Sequence, residues 1–282
     1  MRKIYLFILM ICLGLNSYAG GGWPQPKGKG YFKLGYYGIV SSSYYSPHGD
    51  ILDIATAGIH IVSFYGEYGL TKRLTAIAYV PFFSRATLNE QKSANTGNVI
   101  AEGDAVNSFG DTDLGFKYGI IMDKPIVVSA SITFGLPLGN SMGGRTKVLQ
   151  TGDGEFNQIL GIEASRGLNK GKSWMSTLVA FNNRSESFSD ELRVGLELGT
   201  KLGDKWLVNL KVLSVNSLNN GSDLEAPSNG VFSNNIEYLA ITPEVAYQWN
   251  NKWGVSSAVG LAASGKRVLA SPSVSVGVFF NL

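Results

Sequence analysis

The sequence predicts an all-β protein, a transmembrane antiparallel up-and-down β-barrel of about twelve strands within a range of ten to fourteen. Three observations predict it. Segments of strict apolar–polar alternation recur along the chain, the connections between them alternate short and long, and the chain ends on an apolar strand. Composition agrees: charged residues make up 16% against the roughly 25% usual for soluble chains, while aromatics reach 11% and glycines number 35. Past the first fifteen or so residues, no apolar run approaches the ~18 residues that a membrane-spanning helix needs. A net charge of +3 without a basic cluster gives no electrostatic footprint for nucleic acid.

The first element reads as a leader. Arg2-Lys3 is followed by an apolar stretch from Ile4 to Leu15, and Ser17 and Ala19 sit where a signal peptidase reads small side chains. Residues 1–19 are therefore expected to be cleaved, removing Arg2 and Lys3 and leaving 22 basic against 21 acidic residues. Cys12 is the only cysteine and would leave with the leader, so disulfides are excluded and the fold must be held another way, of which barrel closure is one. Residues 20–29 are expected to form a periplasmic segment. Trp23, Pro24 and Pro26 make it a candidate lumen plug, because a proline-rich stretch joins a ladder poorly and Trp23 is bulky.

The barrel is expected over 30–282. Twelve segments alternate, centred near 31–40, 55–68, 74–83, 112–121, 126–136, 156–166, 173–182, 191–202, 206–215, 236–249, 253–263 and 268–282. In the clearest, Leu192, Val194, Leu196 and Leu198 lie on one face, with Arg193, Gly195, Glu197 and Gly199 on the other. Around 57–66 both faces are apolar, and in 173–182 Trp174, Leu178 and Ala180 compete with Met175, Val179 and Phe181 for the outer face. Short connections fall at 69–73, 122–125, 167–172, 203–205 and 250–252, and longer ones at 41–54, 84–111, 137–155, 183–190 and 216–235. Tight periplasmic turns and larger outer loops are the habit of outer-membrane barrels, and an even strand count places both termini in the periplasm of a Gram-negative cell.

If the apolar face meets lipid, the other face lines the lumen. Its charged candidates are Lys33, Glu67, Asp113, Lys117, Glu163, Arg193, Glu197, Lys201, Lys211 and Glu244, five basic and five acidic. A three-residue turn at 203–205 sets Glu197 opposite Lys211, a favourable cross-strand charge pair. Small residues crowd the inner face of the last two segments, from Gly254 to Ala262 and from Ser271 to Gly277, leaving room beside that wall. Pro243 and Pro272 fall inside apparent strands, where each would forfeit a ladder bond and kink the wall. The terminal run places Ser275, Gly277, Phe280 and Leu282 in the pattern by which outer-membrane barrels are recognised by their assembly machinery, so that machinery and the outer-membrane lipid are expected partners.

Catalytic chemistry is poorly supplied. Of the two histidines, His48 lies near Asp50 in a loop and His60 in a strand, so a hydrolase reading would depend on His48 alone. Asp111, Asp113, Asp153 and Glu155 could gather at the rim, but solvated carboxylates are the simpler reading. No catalytic site, metal or cofactor is expected. Phe109-Gly110-Asp111-Thr112-Asp113-Leu114-Gly115-Phe116-Lys117-Tyr118, then Gly135-Leu136-Pro137-Leu138-Gly139 and Thr151-Gly152-Asp153-Gly154, resemble the phenol-degradation (MetA-pathway) family of outer-membrane β-barrels. The resemblance covers about 105–170 and implies a barrel that moves small, often aromatic or hydrophobic compounds, with no defined site residues to carry over. A passive channel or transporter for small molecules is thus the leading expectation. A structural or surface-binding barrel using the long loops Asn89 to Ser108 and Asn216 to Asn234 is the alternative.

Overall fold

The computed structural model describes residues 21–222 and 231–282. The leader expected over 1–19 and residues 223–230 of the last long loop lie outside them. Twelve antiparallel strands form the wall: β1 (Gly30–Tyr45), β2 (Ile51–Gly69), β3 (Leu74–Leu88), β4 (Thr112–Ile121), β5 (Ile126–Leu136), β6 (Asn157–Leu168), β7 (Ser173–Arg184), β8 (Glu191–Leu202), β9 (Trp206–Ser217), β10 (Glu237–Gln248), β11 (Trp253–Lys266) and β12 (Ser273–Asn281). Each pairs with its sequence neighbour, and β1 also pairs with β12 from Tyr31↔Asn281 to Ile39↔Ser273. The sheet therefore closes and leaves no free edge. The one helical piece among the described residues is a 3-10 turn at Asn169–Gly171.

The turn end and the loop end differ as expected, with two corrections. β1 and β2 run on as a ribbon to Tyr45↔Ile51, so the first loop is only residues 46–50. The last strand begins at Ser273, and Val268–Leu269 pairs separately with Tyr44 and Tyr45. Pro272 is thus not inside a strand; it precedes Ser273, where its missing N–H costs no ladder bond. Pro243 is inside β10. It pairs with Leu210 of β9, while the ladder to β11 lapses between Ile241↔Leu261 and Glu244↔Ala258.

The outer face is apolar. On β8, Leu192, Val194, Leu196 and Leu198 are exposed, as are Leu114, Phe116, Tyr118 and Ile120 on β4. The ambiguous β7 resolves with Met175, Val179 and Phe181 outward and Trp174 and Ala180 buried inward. Near the turn end the outward rings gather. Phe280 lies 4.8 Å from Trp253 and 6.5 Å from Phe32 across the closing seam, and Trp206 lies 4.7 Å from Tyr247. Such a belt of amphipathic rings beside an apolar band is the pattern of a bilayer boundary.

Above Pro81, β3 changes partner. Its first half pairs with β4 (Leu74↔Tyr118 to Tyr79↔Asp113), and its second half pairs with the short strand Asp104–Ser108. The chain between the two partners, residues 109–111, turns there, and the Gly110 N–H donates to the Pro81 carbonyl at 2.8 Å. Asp111 is placed at the loop end of the lumen by this jog.

Candidate functional site: the divided lumen

The N-terminal segment enters the turn end of the barrel and lies against β2 to β7. The Gly22 N–H donates to Ser165 Oγ at 2.7 Å, and its carbonyl accepts from Ser129 Oγ at 2.5 Å. Lys117 Nζ donates to the Gly21 carbonyl at 2.5 Å and pairs with Glu163 at 3.2 Å. The Gln25 N–H donates to Thr75 Oγ1 at 2.8 Å, and Gln25 Nε2 donates to Glu67 Oε2 at 3.0 Å. Glu67 also accepts from Tyr65 Oη at 2.5 Å. Thr75, Ser129, Ser165 and Ser176 are buried, so the wall under the segment is dry and its polar groups are used. Trp23 is half-buried and Pro24 buried, whereas Pro26 is exposed where the chain turns out toward β1. Gln25, which sequence patterning did not single out, is the buried anchor.

The opposite side of the lumen is open. A cavity of about 380 Å³ lies against β9 to β12 and β1, with Lys33, Lys211, Glu244 and Ser256 among its lining residues, and it reaches Tyr65 of β2, Tyr79 of β3 and Trp174 of β7. It extends to the turn end, since Gln248 and Asn281, the last residues of β10 and β12, also line it. Small inward residues make this room. Gly277 faces Gly35 across the seam, and a Cβ on Gly277 would sit 2.5 Å from Lys33 Cε. The glycine therefore lets the Lys33 side chain lie flat along the wall toward β10, three strands away. Glu197 is opposite Lys211 in register, but the two side chains take other partners. Lys211 Nζ reaches Glu244 Oε2 at 2.7 Å, and Glu197 Oε1 accepts from Trp174 Nε1 at 2.8 Å.

The loop end is packed. Ile39, Ala57, Ile59 and Ala86 on the inner faces of β1 to β3 bury Leu149, brought inward by the 137–156 loop. This layer explains why β2 is apolar on both faces: one meets the outside, the other this plug of side chains. Beside it runs an ionic network. Arg184, at the end of β7, pairs with Asp153 at 2.9 Å and Glu191 at 3.0 Å, and Arg193 pairs with Glu191 at 2.6 Å. Asp113 faces this side of the lumen opposite Gly135, and Lys201 lies near the turn end opposite Leu207.

The three motif segments from the sequence meet at Asp111. Its Oδ1 accepts from the Gly139 N–H at 2.9 Å and its Oδ2 from the Asp153 N–H at 2.7 Å. Thr151 Oγ1 donates to the Phe109 carbonyl at 2.9 Å. A Cβ on Gly152 would sit 2.1 Å from Asp111 Oδ1, so only glycine closes this clasp. The four rim acids do not assemble as ligands: the oxygens of Asp111, Asp153 and Glu155 take backbone N–H groups, Ser185 and Arg184, and among the described residues no three potential ligands converge on one point.

Burial, reinforced by Asp153, pushes the Asp111 carboxyl from 3.8 up to about 7, and burial raises Glu155 from 4.5 to about 7. Raised acids favour the folded clasp while protonated, so this contribution is complete below about pH 4 and is lost as the pH climbs through about 7. A spin label placed at the exposed Met142 is expected to gain mobility from about pH 5 to about pH 8, and Asp111→Asn should flatten that response. An unchanged response in the Asn variant would contradict the assignment to Asp111.

The histidines lie apart from these features. The His48 and Asp50 N–H groups both donate to Ser46 Oγ at 3.1 Å in the first loop. His60 faces outward, with Nδ1 2.7 Å from Tyr36 Oη.

A closed twelve-strand barrel with an apolar exterior, an aromatic belt and a partly filled lumen is the architecture of an outer-membrane β-barrel. No family model matches the sequence, and no curated protein matches it. Among solved structures it is similar to the crystal structure of an outer-membrane channel from Pseudomonas putida F1, at a TM-score of 0.64 and 11% identity, covering 94% of this chain and 99% of that one. It is also similar to the translocator domain of the autotransporter NalP from Neisseria meningitidis, at a TM-score of 0.53 and 11% identity over 95% of this chain and 91% of that one. The NanC porin aligns at 0.52 and 10% identity, over 89% of this chain and all of that one (100%). At these identities the likeness establishes the fold.

Proposed function

We propose that this barrel resides in the outer membrane with both termini periplasmic and acts as a passive channel or transporter for small hydrophobic or aromatic molecules. The observation that carries the reading is the division of the lumen: residues 21–25 occupy one side of the turn end, and a cavity of about 380 Å³ remains on the other. The cavity falls in the size range of small-molecule sites. Its tyrosines and Trp174 suit an apolar or aromatic cargo. The family resemblance over 105–170 points the same way. Short turns face the periplasm in this reading, so the N-terminal segment plugs the channel from the periplasmic side.

Ser275, Gly277, Phe280 and Leu282 are proposed as the signal for the assembly machinery. Phe280 lies in the outer aromatic belt, and the Leu282 N–H donates to the Gly30 carbonyl at 2.9 Å, beside the seam that assembly must close. The test of the channel reading is swelling of liposomes that hold the folded, inserted protein. Small neutral and aromatic solutes should enter; verified insertion with no flux would refute a channel.

One observation favours surface binding as a second reading. The loop strands Gln91–Lys92 and Val99–Ala101 form a projecting pair that exposes Val99 and Ile100. Loss of cell-surface adhesion on deleting 91–101, with flux unchanged, would support it.

A further inference from the structure

The open side of the lumen carries an uneven charge. Its charged lining residues are Lys33, Lys211 and Glu244. The Glu244 carboxylate lies between the two ammonium groups, 2.7 Å from Lys211 Nζ and 3.6 Å from Lys33 Nζ. Among the lining side chains two ammonium groups therefore share one carboxylate, a formal excess of one positive charge in the lining. The longer distance is beyond a hydrogen bond, which leaves Lys33 donors free to take another acceptor. Lys211 shows 45% of its side chain although it points inward, so its ammonium is open to the cavity. Glu197 and Glu67 are not among the lining residues; they accept from the neutral donors of Trp174, Tyr65 and Gln25 and keep their own charge.

Beside this charge the wall is aromatic. Tyr31 stacks on Phe279 at 5.6 Å and meets Tyr65 edge-on at 6.3 Å, and all three line the cavity. Phe279 is buried beneath Tyr31, so the flat apolar surface next to the ammonium pair is that of Tyr31 and Tyr65.

We propose that the cavity is a binding site for a compact organic monoanion, with its anionic group on Lys33 and Lys211 and a flat apolar body against Tyr31 and Tyr65. The proposal rests on the channel reading and names the class of cargo that the site selects. A cation meets two ammonium groups, and a dianion exceeds the single spare charge. A neutral ring gains the aromatic contacts but leaves the excess charge unanswered.

Benzoate and its neutral counterpart benzamide are suitable probes, titrated calorimetrically into the folded full chain in detergent. Benzoate should bind the native protein more tightly than benzamide. Glu244→Gln should tighten benzoate and leave benzamide unchanged, because both lysines are then unpaired. Replacing both Lys33 and Lys211 by Gln should erase the preference, with heat-modifiable migration on a gel verifying the fold. Equal binding of the two probes to the native chain would overturn the proposal, as would a Glu244→Gln variant that binds benzoate no better. Because the Glu244→Gln variant predicts a gain, a misfolded double variant does not blunt the test. Liposome swelling with both probes separates this from the channel reading: entry of both without a binding preference removes the anion site and keeps the channel, while a binding preference without entry keeps the site and removes the channel.

Discussion

A chain that begins at Gly28, lacking residues 21–27, is expected to pass several times the current of the intact protein across a planar bilayer. Gly21 to Gln25 fill the β2-to-β7 side of the turn end, and the cavity occupies only the remainder. Removing them should join the two sides into one wider opening. The barrel should survive the loss, because its closing seam begins at Tyr31↔Asn281, and Gly28, whose N–H donates to the Gly69 carbonyl, is kept. The groups uncovered, Lys117, Glu163, Ser129 and Ser165, would face water in place of the segment, so no buried charge is stranded. Unchanged conductance in a folded, inserted truncated chain would show that the segment does not obstruct the pore.

The second large effect is on stability. Arg184→Met is expected to cost about 3–5 kcal/mol, the usual consequence of stranding a buried ion-pair partner. The Arg184 side chain is 3% exposed and answers two carboxylates, Asp153 and Glu191, while stacking 4.4 Å over Phe188. Its removal leaves Glu191, itself 3% exposed, dependent on Arg193 and Asn182. The matched control is Arg145→Met. Arg145 and Glu102 pair at 3.1 Å but are 62% and 71% exposed, and exposed pairs contribute about 0–1 kcal/mol. Denaturant midpoints of the refolded barrels should separate the two variants clearly. Equal midpoints would mean that the loop-end network adds no stability.

The wall was legible in the sequence because a strand between lipid and lumen writes a period of two. Leu192 to Leu202 and Leu114 to Ile120 show it directly, and the three-residue turn at 203–205 sets Glu197 opposite Lys211. Side-chain partners were not legible. Lys211 bonds Glu244 because a lysine stem spans a diagonal as readily as a rung, and register alone does not choose between them. The filling of the lumen was also hidden. Leu149 packs on Ile39 and Ile59, and Gln25 on Glu67, across separations that alternation does not encode. Tyr31 and Tyr65 share the inner face with Lys33 and Glu67, but charge alone does not mark them, and Trp174 sits where both faces of its strand are apolar. The clasp at Asp111 was visible only as three glycine-rich motifs, with the carboxylate that joins them unidentified.

The division of the lumen is tested most directly by single reporter thiols in a Cys12→Ser background, which removes the sequence's one cysteine. Asn209→Cys places the thiol in the open cavity, and Ser165→Cys places it beneath Gly22. A membrane-impermeant thiol reagent added from the turn end should modify Asn209→Cys quickly and lower the current. It should spare Ser165→Cys until residues 21–27 are removed. Equally fast modification of both positions in the intact chain would contradict a lumen divided between an inserted segment and an open chamber.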